Sequence, residues 1–225
     1  VSAGSIRAGE TVHAAVDRDR RHAVMRNHTA AHLLQAALRR VLGTHVEQAG
    51  QLVNEQRVRF DFTHFQALTP DELRKVEAMV NHVVLSGIPV ESREMPIEEA
   101  KKLGAMALFG EKYGSVVRVV SAGDFSKEFC GGTHVTNTGS IGLFHIVSES
   151  SAAAGVRRVE AVTGLNVLSL LEEQTNRMEE AASVLKLNRV SELPARVRQI
   201  TAELKDKDRE IESLNARLAG TRMES

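Results

Sequence analysis

The chain has 225 residues, 42% of them apolar, a formal net charge of zero and one cysteine. That is enough apolar material for one good core, and a single cysteine excludes a small secreted domain stapled by its own disulfides. Zero net charge excludes a global positive field, so any nucleic-acid contact must rest on local basic patches.

No apolar run approaches ~18 residues and no signal-peptide pattern is present, which reads as a soluble protein, and the single cysteine fits a reducing compartment. The chain starts at Val1 without a methionine and stops inside a charged helical pattern, so both ends read as cuts from a longer polypeptide.

In chain order, Glu10–Asp17 reads as one strand, followed by Arg18, Arg20 and Arg21. Asn27 reads as the cap of a helix starting at His28. Leu33, Leu34, Ala37, Leu38, Val41 and Leu42 form its apolar stripe, and Gly43 ends it. Residues 45–54 and 56–63 read as strands; in the second, Val58, Phe60 and Phe62 alternate with Arg57, Arg59 and Asp61. Thr69-Pro70-Asp71-Glu72 is a capping box with proline at the first helical position, and its helix runs to Ser86-Gly87. A strand over 88–95 and a short helix near 97–103 follow. Residues 104–114 are punctuated by glycine and read as a loop or short helix. Val116–Val120 is a strand, Cys130–His134 a turn, and 141–149 and 156–163 two more strands. This order predicts an α+β fold with an antiparallel sheet packed with helices.

Residues 165–187 read as helical and Pro194 as a joint. Leu193, Val197, Ile200, Leu204, Lys207, Ile211, Leu214 and Leu218 then recur in alternating steps of four and three, a heptad seam with one polar position. A coiled coil or helical hairpin over 193–218 is expected, with a partner in the same chain or in a second copy.

The strongest chemical signal is a split set of ligands. His28 and His32 lie in H-T-A-A-H, and Cys130 and His134 in C-G-G-T-H. Imidazoles at i and i+4 project from one helix face and can reach one ion. Apart, either pair is commonplace, since a lone cysteine is usually a small buried hydrophobe. Together they make three nitrogens and one sulfur, which suits tetrahedral zinc. Gly131 and Gly132 allow a tight turn and a close approach.

Zinc on a soluble α+β domain suggests hydrolysis. Four protein ligands close a tetrahedron, and closed sites are usually structural; catalysis here calls for one candidate to be a non-ligand, for a fifth coordination position or for a metal that only positions substrate, and a partly open site with one labile ligand is expected. The chain has no H-E-x-x-H, no G-x-S-x-G and no G-x-x-x-x-G-K, which weakens the peptidase and nucleotide-hydrolase readings.

Several segments together, in this order, are R-N-H-T-A-A-H-L-L (26–34), L-G-T-H-V-x-Q-x-G-x-L-V (42–53), R-F-D-F (59–62), G-A-M-A-L-F-G-E-K-Y-G (104–114), F-C-G-G-T-H (129–134) and A-G-V-R-R-V-E-A-V-T-G (154–164). With them the chain resembles the bacterial alanyl-tRNA synthetase family over nearly its whole length. The ligand pairs alone reach only the wider group that includes threonyl-tRNA synthetase editing domains; segment 104–114 narrows it. The resemblance implies that 1–22 is the tail of a preceding β-barrel-like domain. It implies an editing, or aminoacyl-tRNA deacylase, domain of threonyl/alanyl type over 23–164, and the start of a helical C-terminal region over 165–225. The ligase site, with its ATP and alanine pockets, would lie outside this stretch.

The implied activity is hydrolysis of mischarged Ser-tRNA(Ala) and Gly-tRNA(Ala). A pocket shaped for alanine cannot exclude glycine by size and rejects serine only weakly, so a second site must remove the errors. The resemblance makes His28, His32, Cys130 and His134 the ligands of one zinc ion per chain. It ties Gln48 to recognition of the serine hydroxyl or the ester. Thr29 would face the substrate, and Gly131 and Gly132 would offer N–H groups to the ester oxyanion. Arg59 would meet the terminal adenosine or its phosphate. Lys101, Lys102, Lys112, Arg157 and Arg158 are candidates for the tRNA backbone. Asp124 or Glu128 would orient a ligand histidine, while His45, His64, His82 and His145 are bystanders. The expected partners are tRNA(Ala) and a second copy through 193–218. A free-standing editing protein, a non-catalytic tRNA-binding module with structural zinc and an assembly module are the alternatives.

Overall fold

A computed structural model describes residues 4–107 and 113–223, with the side chains of 219–223 left aside. Lys112 and the middle of segment 104–114 lie outside the described residues. The chain divides into two compact units, Val1–Leu168 and Ser169–Ser225.

The first unit is α+β with wholly antiparallel sheets, as the sequence predicts. Helix α1 (Arg18–Leu42) leads to strands β1 (Gln48–Val53) and β2 (Val58–Thr63), helix α2 (Pro70–Leu85), strand β3 (Val90–Pro96) and the short helix α3 (Ile97–Lys102). Strands β4 (Val116–Ala122), β5 (Ser126–Phe129), β6 (Phe144–Ala153) and β7 (Val156–Thr163) follow. They form one sheet of order β1-β2-β7-β6 and a second of order β3-β4-β5. Val58, Phe60 and Phe62 alternate onto the inner face of β2 and are fully buried against α1 and α2, beside Leu33, Leu34, Leu38, Val76, Val80 and Val84. The smaller sheet packs its other face on Ala100 and Phe129 through Val117 and Val119.

The capping box of α2 forms as read: Glu72 N–H donates to Thr69 Oγ1, and Thr69 N–H donates to the Glu72 carboxylate. The start of α1 does not follow the reading. Asp17, not Asn27, caps it, accepting from Arg20 N at 2.8 Å. The helix therefore begins ahead of Asn27 and carries His28 and His32 midway along its length. Asn27 has the chemistry of a cap but is fully buried and serves a long-range purpose. Its Nδ2 donates to Asn54 O at 2.7 Å and its Oδ1 accepts from Thr163 Oγ1 at 2.6 Å. Residues 10–17 are exposed and form no strand, since no neighbouring strand pairs with them.

The second unit holds most of helix α4 (Leu165–Val184) and helix α5 (Leu193–Met223). α4 ends in a Schellman turn with Lys186 at φ 54°, Lys186 N donating to Ser183 O and Leu187 N to Ala182 O. Pro194 falls in the first turn of α5, where its missing N–H is harmless. The 31 residues of α5 extend about 46 Å. Along it Val197, Leu204, Ile211, Leu214 and Leu218 of the heptad seam are exposed.

Asn27 joins α1 to β7 and to the β1–β2 turn, with its own side chain and Thr163 buried and Asn54 partly so. Asn27→Ala strands the Asn54 carbonyl and the Thr163 hydroxyl, at about 1–3 kcal/mol for each unsatisfied group. Urea denaturation should show a loss of about 2–4 kcal/mol; a loss under ~0.5 kcal/mol, the range of an ordinary surface change, would disprove this role.

Candidate metal centre

The inward stripe of α1 presents His28 and His32 toward the end of β5, where the chain turns through Cys130, Gly131, Gly132, Thr133 and His134. One ligand atom from each of His28, His32, Cys130 and His134 lies within 4.8 Å of every other. Cys130 Sγ is 3.6 Å from His28 Nε2 and 3.3 Å from His134 Nε2. Zinc bonds of about 2.0–2.1 Å to nitrogen and 2.3 Å to sulfur imply tetrahedron edges of roughly 3.3–3.6 Å. The donor set fits zinc in type, and the two sulfur–nitrogen separations match such edges. The ion's identity rests on that chemistry, since other soft divalent metals share these ligands.

Each histidine is held from behind. Thr29 Oγ1 donates to Met25 O at 2.9 Å and accepts from Val135 N at 3.2 Å. Its hydrogen is thereby committed, so its 3.1 Å contact with His134 Nδ1 requires the proton to sit on Nδ1. His134 Nε2, the nitrogen beside the sulfur, is then left with its lone pair free. His32 Nδ1 lies 3.4 Å from Glu128 Oε2, both side chains being buried. The His28 ring faces the Thr133 main chain, which opposes part of the effect of burial on it.

Burial holds all three imidazoles neutral. It lowers His28 and pushes His32 down to about 3, with the neighbouring His28 adding to the effect. His134 falls to about 2, through burial first and then its two histidine neighbours and Arg118. Burial also raises Glu128 to about 8. Neutral imidazoles converging on one point are the form in which histidine binds a metal.

Gly132 is a tight fit. A Cβ on it would lie 2.2 Å from His28 Cε1, while one on Gly131 meets nothing within 4 Å. Gly132 N–H donates to Cys130 Sγ at 3.4 Å.

The other predicted residues lie in varied surroundings. Gln48 is the half-buried first residue of β1, opposite Phe62 and beside a bulge. Arg59 on β2 has its Nε buried without a hydrogen-bond partner, 3.9 Å from Asp61 Oδ2. Arg158 grips that carboxylate at both oxygens, at 2.7 and 2.8 Å, and this bond holds Asp61 below the usual carboxylate range. Arg157 Nε is 2.5 Å from Glu149 Oε1. Asp124 pairs with Lys127, and Lys101 with Glu98, both at the surface. Lys102 is exposed on α3. His45 and His64 bond to each other at 2.8 Å, His145 meets Glu77, and His82 O accepts from Ser86 at the end of α2.

One residue escaped the sequence reading. Arg118 on β4 donates to the carbonyls of both Cys130 and Gly132. The available signal was a single arginine inside V-V-R-V-V, a charge in an otherwise apolar strand.

Gly132→Ala should displace His28 and weaken zinc binding at least tenfold, while Gly131→Ala leaves it unchanged. Competition with a chromophoric chelator measures both. Equal affinities in the two variants would refute the steric account.

The family described as the threonyl and alanyl tRNA synthetase second additional domain matches residues 117–160, which include Cys130 and His134. An "Alanine--tRNA ligase 1" of Lachnoclostridium phytofermentans is 54% identical over 219 residues, covering 97% of this chain and 25% of that protein. The alanine–tRNA ligases of Bacillus velezensis and Bacillus subtilis are each 53% identical over 218 residues, with the same coverage. The chain thus spans about a quarter of the length of the curated relatives it matches, 25% in each case. The His28–His32–Cys130–His134 quartet, which could hold a metal ion, and the α+β fold accordingly stand in a segment of the alanine–tRNA ligase family, one that carries the second additional domain.

Proposed function

We propose that this segment proofreads aminoacyl-tRNA, hydrolysing the ester of Ser-tRNA(Ala) and Gly-tRNA(Ala) at the quartet His28, His32, Cys130 and His134. The observation that carries the reading is the convergence of these side chains, with every histidine oriented from behind, inside a segment akin to alanine–tRNA ligases. Residues 23–164 would form the deacylase domain, 1–22 the tail of the domain before it, and 165–225 the start of the C-terminal region. The setting would be cytoplasmic; among the described residues no helix is long and apolar enough to cross a membrane.

Zinc held by the quartet would supply Lewis acidity for the carbonyl. The chain's own residues do the rest. Thr29 acts through His134, fixing its tautomer. Gly132 N–H is engaged with the sulfur, so Gly131, which has open space beside it, is the better donor to a developing oxyanion. Gln48 is assigned to the serine hydroxyl or the ester. Alanine lies between glycine and serine in size, so a size sieve cannot separate them. A polar group left unpaired by the alanyl ester can.

The tRNA acceptor end is the proposed partner, with Arg59 toward the terminal adenosine. Arg157 and Arg158 already neutralise Glu149 and Asp61, so they would contact phosphate only as members of ion pairs. Lys112 remains a candidate on sequence grounds. The exposed seam over 193–218 would pair with a second copy.

A second reading has its own support. Four protein ligands complete a tetrahedron, which favours a structural ion in a tRNA-binding module. Hydrolysis of Ser-tRNA(Ala) and Ala-tRNA(Ala) by the chain and by Cys130→Ala, with metal content recorded, separates the two. Deacylation of the seryl ester alone, lost with Cys130, is the expected result. A zinc-loaded chain that cleaves neither ester would transfer the site to the structural reading.

A further inference from the structure

Arg118 occupies an unusual position for a cation. Alternation along β4 sends Val117 and Val119 to the small cluster around Ala100 and Phe129. Arg118 therefore points to the opposite face, at the end of the strand that meets the quartet loop. Its main-chain oxygen accepts from Cys130 N at 3.0 Å. Its Nη1 donates to Cys130 O at 2.8 Å and to Gly132 O at 2.6 Å, and its Nη2 donates to Ser92 Oγ on β3 at 2.8 Å. Both backbone groups of the ligand cysteine thus end on one residue, and that residue is anchored to a third strand.

On charge alone, a guanidinium beside a cation site weakens cation binding. What Arg118 can contribute favourably is geometry. Its planar fork places two hydrogens of one nitrogen on two carbonyls, while the other nitrogen holds Ser92. This fixes the turn in which Gly132 N–H meets Cys130 Sγ and in which Gly132 leaves His28 no room for a side chain at that position.

We propose that Arg118 is a positioning residue of the metal centre, clamping the Cys130–Gly132 turn so that the sulfur stays aligned with the three imidazoles. The inference rests on the metal-centre reading and is independent of ester hydrolysis. Supporting groups around metal ligands typically account for about 10–100-fold in affinity.

The test compares the 225-residue chain with its Arg118→Met, Arg118→Lys and Ser92→Ala variants. Zinc affinity is read by chelator competition, sulfur ligation by the thiolate-to-cobalt absorption of the cobalt(II) form, and folding by far-ultraviolet circular dichroism. Arg118→Met should lose about 10–100-fold in zinc affinity and much of the cobalt–sulfur band while keeping its helical signal. Arg118→Lys preserves the charge but not the fork and should recover only part of the loss. Unchanged or tighter zinc binding by Arg118→Met overturns the proposal, because charge would then outweigh geometry. Should Arg118→Met fail to fold, the other two variants decide: a several-fold loss in each supports the clamp, and wild-type affinity in both overturns it. A wild-type chain that binds no zinc refutes the metal centre itself, and the clamp with it, before any variant is made.

Discussion

The hydroxyl of Thr29 has one hydrogen and three polar neighbours, and the two halves of the His28–His32–Cys130–His134 quartet meet through it. Its proton goes back into α1, to Met25 O, and its lone pairs receive Val135 N and the Nδ1 side of His134. One short side chain thus ties the helix that carries His28 and His32 to the loop that carries Cys130 and His134. The arrangement is buried, so no water can substitute for a missing partner. Local helix geometry, loop path and histidine tautomer become a single condition.

The same logic extends outward. His32 depends on Glu128, which lies on β5; β5 depends on β4 for its pairing; β4 carries Arg118, whose bonds return to the loop. Glu128 is buried, and burial raises its carboxyl against the opposing effects of Ser126 and Arg39; a cation held on the neighbouring imidazole would favour its ionised form.

What was legible in the sequence was whatever repeats at short range. The i, i+4 spacing of His28 and His32, the alternation of Val58, Phe60 and Phe62, the Thr69–Glu72 capping box and the seam along α5 are each written within a few turns or strand residues. What was not legible depends on register between distant strands. Asn27 has the chemistry of a cap, and nothing local reveals that Thr163 and Asn54 claim its two ends. Strand β5 is four residues of mixed polarity, too short for a period to show, yet it aims Cys130. Arg118 reads as an oddity in a valine strand until the β4–β5 pairing places it opposite the cysteine. Glu128 and Asp124 were equivalent in sequence; the fold sets one beside His32 and the other at the surface with Lys127.

Exposure within the quartet has a direction. His32 and His134 are buried, whereas His28 and Cys130 are only partly covered. Gly132 closes against His28, and Gly131 faces open space. Any group arriving from solvent therefore approaches past His28, Cys130 and Gly131, since the opposite side is sealed by Thr29, Glu128 and the core. If a ligand yields to open the tetrahedron, it is one of the exposed pair, because displacing His32 or His134 would break bonds to Glu128 or Thr29 in a buried setting. Between the two, His28 is held within α1, against the Thr133 main chain and by ring contacts with His32 and His134, whereas Cys130 is held by both its backbone groups on Arg118, so the two exposed members are secured by different means.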